Sequence, residues 1–241
     1  MKRIQMILQG KGGVGKSFVA SLLAQRMMSR GTVPVCIDTD PVNQTFAGYT
    51  AFGARKLQLM RDGNIDPRGF DQLIEMVMSE PDETAFIIDN GAATFVPLCA
   101  YLFENDVAGF LTGSGIELVL HSVLTGGQAL GDTMDGLASL LKLFPNIPVV
   151  VWLNEFFGRV ERDGKAFEDS RLYKDNRDKI QALLRIPEVR KETFGTDLDQ
   201  MLRQKLTFSA IREAPDFSIM AKQRLAMTWR ALDSQMAGAG L

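Results

Sequence analysis

A short stretch near the start of the chain has residue types that suit phosphate chemistry. Gly10-x-x-x-x-Gly15-Lys16-Ser17 follows an apolar run beginning at Ile4 and precedes a helical pattern from Phe18 to Arg30. This order is typical of a phosphate-binding loop, because backbone amides and the positive end of the helix dipole then face an anion. Lys16 is predicted to reach the β- and γ-phosphates, and the Ser17 hydroxyl to complete the coordination of Mg²⁺.

Three aspartates stand where later apolar runs end. Val33–Ile37 is followed by Asp38 and Asp40, and Ala85–Ile88 by Asp89. Open α/β sheets bind ligands at the carboxyl ends of their strands. Asp38 and Asp40 could merely cap the next helix, but their spacing also fits one carboxylate near the Mg²⁺ shell and one near the water that attacks the γ-phosphate. Asp89 is predicted to hold Mg²⁺ through a water.

Two further polar residues stand at informative places. Lys11 adds a second lysine to the loop, although the amides and Lys16 already suffice to hold phosphate. It is either part of a solvated loop or a side chain that neutralises a γ-phosphate held by a second copy of the protein. Asn154 ends the apolar run Pro148–Leu153, and its amide can both donate to and accept from a purine edge.

The order of the elements predicts the fold class. A strand, a helix and another strand within about 35 residues form one βαβ unit, which implies parallel pairing and a right-handed crossover. We therefore expect an α/β P-loop NTPase fold, a doubly wound and mostly parallel sheet flanked by helices. The chain, residues 1–241, has the length of a single domain of this kind. Its last helix, about 215–238, is expected to pack on that domain or to face a partner.

Periodicity predicts the remaining elements with less support from motifs. Strand patterns cover Lys56–Met60, as an edge strand, and Val107–Leu111, whereas Gly69–Ser79 has helical spacing. We also expect a long helical region over Glu117–Leu143, interrupted near its glycines, and a helical, polar segment over Lys165–Leu184.

Composition excludes several classes of protein. The net charge of −2 argues against a protein whose whole surface binds nucleic acid. Cys36 and Cys99 form no CxxC or Cys/His cluster, so neither a disulfide framework nor a zinc site is indicated. The only histidine, His121, is expected to be structural or on the surface, with no chemical role. No run approaches the length of a membrane span and no signal peptide is recognisable, so we expect a cytoplasmic protein without membrane contact.

With Lys11 in this position, the sequence resembles the deviant Walker A ATPases, which include the plasmid-partitioning and Min-type ATPases and the nitrogenase iron protein. The resemblance implies ATP or ADP and Mg²⁺ as cofactors, slow hydrolysis, and an ATP-dependent homodimer in which Lys11 contacts the partner's nucleotide. It implies that Asp40 is tied to hydrolysis. Asn90 and Gly91 depart from the partitioning pattern in the switch II loop, which leaves the hydrolysis rate open.

The resemblance also implies a set of site residues. Lys11, Asp40 and Lys16 are the predicted catalytic residues, and Ser17, Asp38 and Asp89 the predicted metal site. Asn154 would recognise the base, and the Ile186-Pro187 segment would cup the adenine. The full predicted nucleotide-binding set is Gly10, Lys11, Gly12, Gly13, Val14, Gly15, Lys16, Ser17, Phe18, Asn154, Ile186 and Pro187.

Within this family, motifs along nearly the whole chain are similar to a subgroup of plasmid conjugal transfer proteins. The segments concerned surround the loop, the aspartates, Thr125–Leu130 and Asn154. This similarity implies a role in conjugative DNA transfer, with relaxosome or coupling proteins as candidate partners. Six basic residues near the C-terminus could instead build a non-specific DNA-facing patch; they are Arg203, Lys205, Arg212, Lys222, Arg224 and Arg230.

Two other functions remain open on the sequence. A metabolic P-loop transferase would phosphorylate a small molecule and would leave Lys11 without a purpose. A binding module would hold ATP or ADP without hydrolysing it and act as a scaffold for transfer proteins or DNA, a reading that the unusual Asn90-Gly91 pair keeps open.

Overall fold

The computed structural model describes residues 1–189 and 191–241, and its centre is one sheet of seven strands. The strands are β1 (Arg3–Ile7), β2 (Val35–Asp38), β3 (Arg55–Lys56), β4 (Ala85–Asp89), β5 (Glu117–Thr125), β6 (Val149–Asn154) and β7 (Ile180–Ile186). Every neighbouring pair in this sheet is parallel, and the spatial order is β7-β6-β5-β1-β4-β2-β3.

Helices cover both faces of the sheet. They are α1 (Lys16–Ser29), α2 (Gly69–Ser79), α3 (Phe95–Glu104), α4 (Val107–Gly113), α5 (Leu130–Leu143), α6 (Arg171–Lys174), α7 (Thr196–Arg203) and α8 (Ile219–Gly238). Alternate side chains of β1 point to opposite faces, as the two-residue period of a strand requires. Ile4 and Met6 pack with α2 to α5, and Ile7 packs with α1, α7 and α8. The predicted doubly wound parallel α/β fold is confirmed.

Several predicted elements are correct in kind and place. The helix predicted over Gly69–Ser79 has those bounds, and the first helix begins within the loop motif at Lys16. The last helix begins at Ile219, where the Ser218 hydroxyl accepts a hydrogen bond from the Ala221 amide at 3.2 Å. Its buried face packs in the same core as α1. The predicted edge strand is present only as β3, since Met60 belongs to a separate two-residue hairpin.

Three predicted elements are wrong. Val107–Leu111 is helical, because Asp106 in the left-handed region (φ 45°) ends α3 and lets a second helix begin at once. Glu117–Thr125 is a central strand, so only the second part of the predicted helical region, Leu130–Leu143, is a helix. Lys165–Leu184 is mostly not helical, since Lys165 lies in a hairpin and the segment ends in the edge strand β7.

Two polar residues inside β5 explain why its sequence does not predict a buried strand, and both are buried. His121 lies fully inside, where its Nε2 atom faces the Gln5 side-chain oxygen and its Nδ1 atom accepts from the Trp152 indole at 3.0 Å. Burial lowers the pKa of His121 to about 3, so the ring is neutral. The next residue, Ser122, is also fully buried. Of the two predicted places for His121, the structure shows the buried, structural one and not the surface.

Candidate nucleotide-binding site

The loop between β1 and α1 has the backbone conformation that its glycines predict. Gly13 and Gly15 have φ values of +74° and +101°, in the region that favours glycine. A Cβ on Gly15 would lie 2.8 Å from the side-chain nitrogen of Asn154. That nitrogen donates to the Val14 carbonyl at 2.9 Å. Asn154 therefore lies against the loop itself, where its amide fixes the turn.

A residue that the sequence analysis missed anchors the start of the loop. The side-chain oxygen of Gln9 accepts from the Gly10 amide at 2.9 Å, and its nitrogen donates to the carbonyls of Val123 and Thr133 at 3.1 and 3.0 Å. Gln9 is fully buried. Its hydrogen bonds connect the loop to β5 and α5. The role depends on carbonyls that folding brings close, so the sequence does not indicate it.

Lys16 lies at the bottom of the loop. Its ammonium group donates to the Lys11 carbonyl at 2.8 Å, and only 8% of the residue is exposed. Burial lowers the pKa of Lys16, and the carboxylates of Asp89 and Asp40 oppose that shift. A poorly solvated cation beside open amides is a strong site for a phosphate group.

Asp89 has the properties of a ligand for a hydrated metal ion. It is buried at the end of β4, close to the Ser17 hydroxyl, which lowers its pKa in opposition to burial. Burial raises the pKa of Asp89 to about 7. Its Oδ1 atom has no hydrogen-bond partner among the described residues. A buried unpaired carboxylate oxygen next to a serine hydroxyl fits a Mg²⁺ ion with its water shell.

Asp38 and Asp40 shape the segment after β2. The two oxygens of Asp38 accept from the Asp40 and Ala47 amides, each at 2.9 Å. Burial raises the pKa of Asp38, and these backbone bonds oppose the shift. Asp40 accepts from the Val42 and Asn43 amides at 2.9 and 3.0 Å. Both carboxylates thus organise turns, and neither caps a helix in the described part of the chain, so that alternative prediction is wrong. Asp40 also lines the cavity next to the loop.

Asn90 and Gly91 join the segments that follow β2 and β4. The side-chain oxygen of Asn90 accepts from the hydroxyls of Thr39 and Thr94 at 3.0 and 2.6 Å. A Cβ on Gly91 would lie 2.7 Å from the Asp40 carboxyl carbon and 2.9 Å from its Cα atom. The pair that departs from the partitioning pattern is therefore the contact through which the two segments meet.

The loop, Asp40 and Asn90 line one cavity of about 690 Å³. Leu202 also lines it, as does Lys205, which the sequence predicted in a candidate DNA-facing patch. Lys205 lies 5.6 Å from the centre of the Tyr49 ring. Burial lowers the pKa of Lys205, and the charge of Asp38 opposes this.

The structure does not bring all predicted base contacts to this cavity. Ile186 is buried at the end of β7, and Pro187 is exposed beyond it. Among the described residues that line the cavity, neither these two nor Asn154 is present. Phe18, the last residue of the predicted loop set, does line it.

Lys11 points away from the loop toward α5. Its ammonium group forms an ion pair with Asp132 at 2.7 Å, and the two side chains are 45% and 60% exposed. An ion pair this exposed contributes at most about 1 kcal/mol. Lys11 is therefore free to exchange Asp132 for another anion at small cost.

Replacing Asp89 with asparagine should stabilise the nucleotide-free protein at neutral and alkaline pH. The unfolded aspartate ionises near its ordinary pKa, whereas the folded one ionises only near pH 7. Ionisation therefore costs stability increasingly from about pH 4 to pH 7, and asparagine removes this cost of about 2 to 4 kcal/mol. Urea unfolding at pH 5 and pH 8 measures it. A gain that does not grow with pH would contradict the burial of this charge, and the exposed Asp135→Asn variant is the control.

Comparison with known proteins decides the family. Two proteins named Protein TraL from Escherichia coli are each 45% identical to this chain over 242 aligned positions, which cover the whole of both chains. The chain belongs to the TraL family. No protein-family model matches it.

Solved structures similar to this member of the TraL family have the same fold at low sequence identity. The MinC:MinD cell division protein complex of Aquifex aeolicus matches with a TM-score of 0.56, 16% identity and coverage of 96% of each chain. Apo McdA of Cyanthece matches with a TM-score of 0.56 and 12% identity over 98% of this chain and 100% of the other. In the described part of the chain, no helix is long and apolar enough to cross a membrane.

Proposed function

We propose that this TraL-family protein is an ATP-binding, slowly hydrolysing dimerisation switch that acts in plasmid conjugative DNA transfer. The observation that carries the proposal is the convergence of three strand ends on one cavity. The loop after β1, Asp40 after β2 and Asn90 after β4 line it, and Asp89 at the end of β4 is close enough to act electrostatically on Lys16. Positioning or assembly of the transfer machinery is the role that its similarity to conjugal transfer proteins supports.

In this proposal each charged residue has one task. Lys16 and the loop amides bind the β- and γ-phosphates. Asp40, held by its own turn and pressed against Gly91, orients the attacking water. Ser17 and Asp89 would hold Mg²⁺, which neutralises charge on the phosphate oxygens when bound. Ile186 and Pro187 stay candidates for the base contact.

Lys11 would supply the link between two copies. In the single chain it is an exposed cation at the edge of the loop, paired with Asp132 only on the surface. A γ-phosphate held by a second copy would offer a more highly charged partner. Because the dimer then depends on the γ-phosphate, its lifetime would end with hydrolysis, which is how a nucleotide sets a conformational state.

Solution mass measured by light scattering tests this proposal. With ATP and Mg²⁺ the wild-type protein should form a dimer, whereas ADP or no nucleotide should leave a monomer. Lys11→Ala should prevent the dimer, and Asp40→Ala should prolong it by slowing hydrolysis at least about tenfold. Asp132→Asn is the matched control, because it removes only the surface ion pair of Lys11 and should keep the dimer.

A phosphate-release assay on the same variants separates the alternatives. Release that is slow in wild type and lost in Asp40→Ala supports the ATPase. A dimer without any phosphate release would instead support the nucleotide-bound scaffold. Equal mass in every nucleotide state would remove the role of Lys11 across an interface and contradict the switch.

A further inference from the structure

A second groove, of about 650 Å³, lies between α1 and α8. Three aromatic side chains form its floor, and two arginines also line it. These residues are Phe52, Phe208, Trp229, Arg212 and Arg230. Among the described residues that line this groove, none is acidic. Two arginines on an aromatic floor give it the character of a site for an anionic ligand with an apolar part.

The floor of the groove is also the back wall of the nucleotide cavity. The Phe208 ring lies 5.3 Å from Trp229 and 6.4 Å from Phe18, and the Phe52 ring lies 5.4 Å from Tyr49. Phe18 and Tyr49 line the nucleotide cavity. A ligand in the groove would therefore touch rings that pack directly on the site where the nucleotide is proposed to bind.

Three of the six basic residues expected to form a DNA-facing patch have other contacts. Arg203 pairs with Asp199 at 2.7 Å, and Arg224 with Asp197 at 2.6 Å. Lys205 lies in the nucleotide cavity. Arg212 and Arg230, by contrast, form no ion pair with any described residue, and both side chains are exposed on the groove.

The remaining charge and the buried rings favour a protein ligand over nucleic acid. Single-stranded nucleic acid needs a basic track along its backbone and open aromatic faces on which bases stack. Among the described residues that line the groove, two are cations without an ion-pair partner, and Phe52 and Phe208 are 8% and 7% exposed. Of the described rings there, Trp229 is the half-buried one that can receive an apolar side chain.

We propose that this groove binds an acidic segment of a partner protein. The segment places an apolar or aromatic side chain against Trp229, and its carboxylates pair with Arg212 and Arg230. Arginine pairs carboxylates through two parallel hydrogen bonds, and Trp and Arg are the residue types that most often dominate protein interfaces. This inference does not depend on ATP hydrolysis or on a dimer.

Selection from a random 12-residue peptide library displayed on phage, with the full-length protein as bait, tests this inference. We expect the selected peptides to be rich in Asp and Glu and to carry an aromatic or large apolar residue. Arg212→Glu combined with Arg230→Glu should weaken their binding at least about tenfold. The matched control combines Arg68→Glu with Arg162→Glu, which reverses two exposed arginines away from the groove.

Tryptophan fluorescence locates the bound peptide. Trp152 is fully buried beside His121, so a change on peptide binding reports on Trp229 and should disappear in Trp229→Phe. Selected peptides without an acidic excess, no selected peptides, or binding unchanged by the charge reversal would each overturn the proposal. Two other results would also overturn it if peptides do not bind. One is binding of a 20-nucleotide oligothymidylate in the groove, and the other is self-association of the protein that the same charge reversal abolishes.

Discussion

Replacing Lys16 with glutamine should weaken the binding of ATP and Mg²⁺ at least about 100-fold. Lys16 is almost fully buried, and among the described residues its ammonium group has one hydrogen-bond partner, the carbonyl of Lys11. Loss of a buried cation that pairs with phosphate costs about 2 to 5 kcal/mol. The loop backbone depends on Gly13, Gly15 and Asn154 and not on this charge, so the fold should survive.

Isothermal titration calorimetry of ATP with Mg²⁺ measures the loss, and circular dichroism checks the fold. Lys142→Gln is the matched control, because it removes an exposed lysine at the end of α5 and should bind ATP as the wild type does. An affinity of Lys16→Gln within about threefold of wild type would mean that the loop does not hold the nucleotide's phosphates.

Replacing Gly91 with alanine should slow phosphate release at least about 100-fold while leaving nucleotide affinity within about tenfold of wild type. The new methyl carbon would lie 2.7 Å from the Asp40 carboxyl carbon, a distance at which one of the two segments must shift. Asp40 holds its turn through the Val42 and Asn43 amides, so a shift displaces a preorganised group. Displacing a reacting group by about 1 Å is enough to cost about 100-fold in rate.

The control for this substitution is Gly113→Ala at the end of α4. A Cβ there meets no atom of the described residues within 4 Å, so the same chemical change should leave phosphate release unaltered. Single-turnover hydrolysis and nucleotide titration on both variants separate rate from binding. Normal hydrolysis by Gly91→Ala would show that Asp40 need not stay where this structure has it.

The sequence determined the parts of this protein that are local in the chain. The loop motif requires a strand before it, a helix after it and glycines within it, and all of these can be read within 30 residues. Continuous apolar runs likewise predicted β2, β4 and β6, because strands buried on both faces have few polar positions. From these runs, the parallel doubly wound sheet followed.

Only the tertiary structure decided the contacts between segments that are distant in the chain. His121 and Ser122 made β5 unrecognisable, since polar residues inside a strand are acceptable only when neighbouring strands supply partners such as Gln5 and Trp152. Gln9 acquires its role in the same way, from carbonyls that lie more than 100 residues away.

The site shows the same division. Lys16, Ser17 and Asp89 were predictable because their chemistry follows from local motifs, whereas the contact of Gly91 with Asp40 joins segments some 50 residues apart. The groove arginines look like any other surface cations in the sequence. They differ from Arg203 and Arg224 only because folding gives those two acidic partners and leaves Arg212 and Arg230 without one in the described part of the chain. The sequence identifies the charged side chains, but the tertiary structure determines which of them have a partner of opposite charge.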